Sequence, residues 1–100
     1  MQFYSGLYEE IIHAAQVRRY GEITEVSDKT YIERAARECA AQDYLLEHAQ
    51  EFSFTETDVS DIMHNKKVWQ QDFEKRTGIK YENSPYQRNI ADNIWSCFTD

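Results

Sequence analysis

Proline occurs once in this 100-residue chain and glycine three times. That scarcity excludes collagen-like and proline-rich classes, and it leaves few places where a helix must stop. No apolar run approaches the roughly 20 residues of a membrane-spanning helix. The opening Met1-Gln2-Phe3-Tyr4 has neither the basic nor the apolar region of a secretory signal, so a cytoplasmic protein that does not enter membranes is expected. Cysteine appears twice, at positions 39 and 97, too far apart for zinc-ligand or redox spacing, and both are expected to stay reduced. Basic residues are also few. Eleven Lys and Arg stand against 18 Asp and Glu, for a net charge of −7, and an overall basic footprint for duplex DNA or anionic lipid is absent.

What the chain has is helical periodicity. Over residues 3–20, Phe3, Leu7, Ile11 and Ala14 recur at helical spacing with Tyr4, Tyr8, Ile12 and Ala15 beside them. Arg18 and Arg19 follow in the last turn, and Gly21 marks a left-handed stop. Thr30 and Glu33 match a capping box, opening a helix expected to run to about Phe52. Its apolar residues fall on two sides. Ile32, Ala35, Ala36, Cys39 and Leu46 cluster on one, with Ala41, Leu45 and Phe52 nearly opposite. Either the helix breaks near Gln42-Asp43, or it is a central helix packed on both faces. A third helix is expected over about 57–77, with Thr55 or Thr57 as N-cap and Gly78 after its end. Ser84-Pro85-Tyr86-Gln87 combines N-cap, first-turn proline and capping-box glutamine, announcing a closing helix with Ile90, Ile94, Cys97 and Phe98. The expected fold is all-α, one compact domain over 1–100, with four to five helices and no significant sheet. Ile11, Ile32, Cys39, Leu46, Ile62, Phe73, Ile94 and Phe98 are its expected core.

Charge is unevenly distributed. Residues 1–64 carry 13 acidic and 5 basic side chains, and residues 65–100 carry 5 and 6. Between Glu38 and Asn65 there is no Lys or Arg. The carboxylates Asp43, Glu47, Glu51, Glu56, Asp58 and Asp61 form the candidate partner-binding set. On an unbroken helix Asp43, Glu47 and Glu51 would repel at i, i+4 and i+8 by a few tenths of a kcal/mol per pair. A solvated face that confers solubility is one explanation, and a docking surface for a basic protein partner is the other. True nucleic-acid mimicry would require denser charge, since duplex DNA presents one about every 1.7 Å.

The basic residues Lys66, Lys67, Lys75, Arg76, Lys80 and Arg88 lie near Trp69, Tyr81 and Tyr86, a mixture that can bind single strands. A mixed-charge outer face with helix-end complementarity is the preferred explanation, and direct nucleic-acid binding is not expected. Glu10-x-x-His13 has the spacing of a bundle metal pair but no second copy, so neither a metal nor another cofactor is expected. No phosphate loop or nucleophile motif occurs, and the chain is not read as an enzyme. In size, acidity and lack of catalytic motifs it is similar, as a class, to phage-borne inhibitors of host defence such as anti-CRISPR and anti-restriction proteins. That similarity implies an inhibitor docking on a basic, nucleic-acid-handling partner. An antitoxin or immunity-type nuclease inhibitor follows the same charge logic. A nucleic-acid-binding regulator using the basic C-terminal third is the alternative from another class. Oligomeric state is not legible.

Overall fold

Alternating helix-stop signals divide the chain into α1 (Phe3–Tyr20), α2 (Asp28–Glu47) and α3 (Glu56–Thr77), followed by a 3-10 turn at Tyr81–Asn83. This computed structural model describes the backbone of residues 3–25 and 27–84, and side chains from residue 6 onward. Among the described residues every regular element is helical. Three α-helices stand among the described residues, against the four to five expected for the chain, and the closing helix expected beyond Ser84 lies outside the described residues. None of the helices is long and apolar enough to cross a membrane.

Local chemistry sets the ends. Gly21 and Gly78 hold left-handed φ values of 90° and 73°, which a residue with a Cβ rarely adopts. Their amides donate back to the Val17 and Glu74 carbonyls at 2.8 Å each, closing α1 and α3. The N-terminus of α2 lies one turn earlier than the Thr30–Glu33 box implies. Ser27 is the cap. Its Oγ accepts from the Thr30 amide, while the Ser27 amide donates to Thr30 Oγ1 at 2.9 Å. Thr30 is thus the inner member of the box. At α3 the box is Thr55 with Asp58, whose Oδ2 accepts from the Thr55 amide at 2.9 Å.

α2 stops at Glu47, five residues before the expected end. The chain turns through 48–54 with Ser53 in the left-handed region, and the Phe54 amide reaches back to the Ala49 carbonyl at 2.9 Å. Aromatic packing holds this turn. Phe52 stacks on Tyr8 of α1 with centroids 4.0 Å apart and 10° between planes, and Phe54 meets the Tyr8 edge at 5.9 Å. A helix continued to Phe52 would carry that ring away along its own axis by 1.5 Å per residue.

α2 is the central element, unbroken at Gln42-Asp43 and packed on both faces. Its later half joins Ile12 and Ala15 of α1 and Ile62 of α3 through Ala41, Tyr44 and Leu45. Its earlier half joins Phe73 of α3 and Tyr81 through Ala35, Ala36 and Cys39. Ile62 and Phe73 stand three turns apart on one line of α3, so α2 and α3 form an antiparallel hairpin. Buried alanines on α2 let the neighbouring helices approach closely. Of the expected core, Cys39, Ile62 and Phe73 are buried, and Ile11, Ile32 and Leu46 are half-buried. Ile94 and Phe98 lie outside the described residues. On α1 the buried line is Ile12 and Ala15, while Leu7 is 54% exposed and Ala14 is exposed. Among the described residues, the packing of α1 on the α2–α3 hairpin buries a narrower arc than the wide stripe offers.

Candidate interaction surface

The α2–α3 turn decides what the acidic residues can do. Because α2 ends at Glu47, the run Asp43, Glu47, Glu51 is not a helical stripe, and the expected i, i+4, i+8 alignment is corrected. Glu47 is the last residue of α2, Glu51 lies in the turn, and Glu56 opens α3. All three are exposed and belong to one end of the hairpin. Glu51 Oε1 lies 3.2 Å from His48 Nδ1, with the Glu51 side chain 68% exposed. In that much water the contact is a weak constraint.

The other three acids are engaged within the fold. Asp43 forms an ion pair with Lys66 of α3 at 2.6 Å, bridging the hairpin across a half-buried edge. Asp58 closes the α3 capping box, where its charge also faces the helix N-terminus favourably. Asp61 is half-buried in the second turn of α3. The six predicted residues thus divide, with Glu47, Glu51 and Glu56 facing solvent and Asp43 and Asp58 serving the structure.

Beside these acids the surface is apolar. A groove of about 430 Å³ is lined by Phe54, Thr55, Glu56, Val59, Ser60 and Met63. Met63 also lines an adjoining groove with Leu46 and Lys66 between α2 and α3. Met63 is 57% exposed although it shares the apolar stretch of Val59 and Ile62. Its unbranched thioether adapts to varied shapes, which suits a contact surface better than a core position. The sequence signal that could have identified it is its place one residue beyond Ile62, which rotates it about 100° from the buried line.

Neither a known family, nor a curated protein, nor a solved structure matches this chain. Function must therefore be argued from the side chains themselves.

The basic residues do not converge. Lys66 is paired with Asp43. The Arg76 guanidinium lies 4.0 Å over the Tyr31 ring and 3.3 Å from Asp72, pinning α3 to the start of α2. Lys80 approaches Glu74 at 3.8 Å. The Glu74 carboxyl sits below its ordinary range because Gln70 and the Tyr81 amide donate to it. Of the six basic residues, Lys67 and Lys75 are exposed and form no such pair among the described residues. Arg88 lies outside the described residues.

Cys39 is buried among alanines and Phe73. Burial pushes its thiol up to about 12, and Asp43 adds to the shift. That is the chemistry of a packing group rather than a nucleophile.

Proposed function

We propose that this protein is a small protein-binding module that engages a basic partner through the end of the α2–α3 hairpin. One observation carries the proposal: an apolar groove opens to solvent around Phe54, Val59 and Met63, at the end of the hairpin that also exposes Glu47, Glu51 and Glu56. An apolar anchor supplies affinity by desolvation, and surrounding charge supplies orientation and association rate. The matching ligand is a protein segment with one or two apolar side chains flanked by Lys or Arg.

Proteins that handle nucleic acid present such basic surfaces. Carboxylates seated there would exclude the phosphate backbone, and this is how an inhibitor of the anti-defence kind would act. An antitoxin or immunity role rests on the same contact. Three exposed carboxylates favour docking over mimicry of a duplex, which presents charge about every 1.7 Å. The alternative regulator reading has less support, because Lys66 and Arg76 are engaged with carboxylates.

The test is paired affinity capture from a lysate of the source cells with three baits: wild type, Glu47→Lys/Glu51→Lys/Glu56→Lys, and Met63→Asp. A protein retained by wild type and lost by both variants supports the proposal. Retention of nucleic acid, or of the same protein by all three baits, contradicts it.

A further inference from the structure

A second constellation, far in sequence from the hairpin end, lies between α1 and α2. Glu9 and His13 stand one turn apart on α1, and Glu38 faces them from α2. His13 Nε2 is 3.1 Å from Glu38 Oε1 and 3.9 Å from Glu9 Oε1, and one ligand atom from each residue lies within 4.8 Å of the others. The histidine that the sequence paired with Glu10 therefore meets Glu9 and Glu38 instead.

Two buried glutamines hold this group from behind. Gln16, 1% exposed, donates through Nε2 to the Arg37 carbonyl at 2.8 Å. Its amide oxygen is thereby turned to His13 Nδ1, 2.7 Å away, so Nδ1 carries the proton and Nε2 is aimed at the carboxylates. A donated Nδ1–H to a fixed oxygen is how proteins orient a ligating histidine. Gln42, also 1% exposed, donates through Nε2 to Glu9 Oε2 at 2.9 Å. That leaves Glu9 Oε1 as the oxygen nearer to His13. The other amide atom, Gln42 Oε1, is buried and has no hydrogen-bond donor among the described residues. A buried acceptor left without a donor costs about 1–3 kcal/mol.

We propose that Glu9, His13 and Glu38 bind a divalent transition-metal cation of the Zn²⁺ class, which ties α1 to α2. Ligand atoms held about 2.0–2.1 Å from zinc stand roughly 3.3 Å apart in a tetrahedron. The separations of 3.1 and 3.9 Å from His13 Nε2 bracket that value, and the two carboxylates, within 4.8 Å of each other, must draw in toward the ion. One imidazole nitrogen with two carboxylates suits Zn²⁺ or a neighbouring first-row metal better than Ca²⁺, which takes six to eight oxygens. Any proton on Nε2 leaves to solvent as the metal takes its lone pair. Access is through a cleft of about 400 Å³ that His13 and Glu38 line. Arg37 also lines that cleft, and Glu33 balances it at 3.0 Å.

The full chain, first stripped with chelator, is titrated with ZnCl₂ by calorimetry, with CaCl₂ as the oxygen-preferring control. Imidazole nitrogen resonances are followed by NMR in the same samples. The expected result is one-to-one Zn²⁺ binding, little Ca²⁺ binding, and movement of the His13 ring signals while those of His48 and His64 stay in place. Gln16→Ala should weaken Zn²⁺ binding about 10–100-fold, and Glu38→Gln should weaken it further. No heat with Zn²⁺, His13 signals that do not move, or affinity unchanged in folded Glu38→Gln overturns the proposal. The NMR readout on wild type decides the matter even where a variant fails to fold.

Discussion

Replacing Phe73 by alanine should remove about a third or more of the stability of a typical domain of this size. The ring is 0% exposed and joins three parts of the chain. It rises from α3, packs against Ala35, Ala36 and Cys39 of α2, and meets Tyr81 edge-on at 5.6 Å and 90°. Truncating a buried phenylalanine costs about 3–5 kcal/mol, because transfer free energy is lost and the cavity does not fully close. The alanines around it are too small to swing into the void, which favours the upper part of that range. The edge-to-face contact with Tyr81 contributes about 0.5–1.5 kcal/mol of this. A domain of this length has about 5–15 kcal/mol in total. At about 4–8 °C per kcal/mol, Tm should fall by roughly 12 °C or more. Urea unfolding followed by circular dichroism measures the loss. Phe73→Leu, Tyr81→Leu and the double variant then isolate the ring contact. A loss below about 1 kcal/mol in Phe73→Ala would refute this picture of α3 on α2, as would strict additivity in the cycle.

Cys39 should resist thiol reagents in the native protein at pH 8 and react only on unfolding, since burial pushes its thiol up to about 12; rapid native labelling of Cys39 would contradict its burial. With chelator present, His13 should make stability depend on pH. Burial disfavours its charge, but hydrogen bonds and attraction from Glu38, with help from Gln16 and Glu9, outweigh this and raise its pKa above the ordinary 6.5. A group raised on folding stabilises fully below its unfolded value, and that stabilisation is lost as pH rises through the folded value. Wild type should therefore lose stability between mildly acidic and mildly alkaline pH, and His13→Gln should show a flatter profile by urea titration; equal slopes would contradict the contact.

The helices were legible where local chemistry sets them. Arg18 and Arg19 before Gly21, and Lys75 and Arg76 before Gly78, marked the ends of α1 and α3, because a left-handed stop depends on neighbouring residues alone. The two-sided pattern on α2 also announced a central helix. The end of α2 was hidden, because nothing near Glu47 forbids helix and the turn is held by Phe52 stacking on Tyr8, a contact between distant segments. The choice of Ser27 over Thr30 as cap was hidden for a different reason. Thr30 with Glu33 matches the box pattern, whereas Ser27 has a threonine rather than Glu or Gln at its third position, so the pattern pointed one turn too late.

The same division runs through the functional residues. Acidic excess was plain, yet which carboxylates remain exposed depends on tertiary pairing. Asp43 meets Lys66 only because α2 and α3 run antiparallel. His13 drew attention through the wrong glutamate, since i, i+3 and i, i+4 neighbours both lie on its face, and Glu38 reaches it from another helix. Exposure of Met63 follows from its place about 100° round the helix from Ile62, once Ile62 is known to lie on the buried line.

Association kinetics of the captured partner, measured against wild type and Glu47→Lys/Glu51→Lys across a salt series, probe the hairpin-end surface most directly. The substitutions should leave folding intact. Lysine at Glu47 suits the C-terminus of α2, where a cation is favoured by about 0.3–1 kcal/mol, and this offsets the weak His48–Glu51 contact. Wild-type association should slow as salt rises, and the variant should associate more slowly at low salt and converge toward wild type at high salt. A variant that associates as fast as wild type at every salt concentration would contradict docking through these carboxylates.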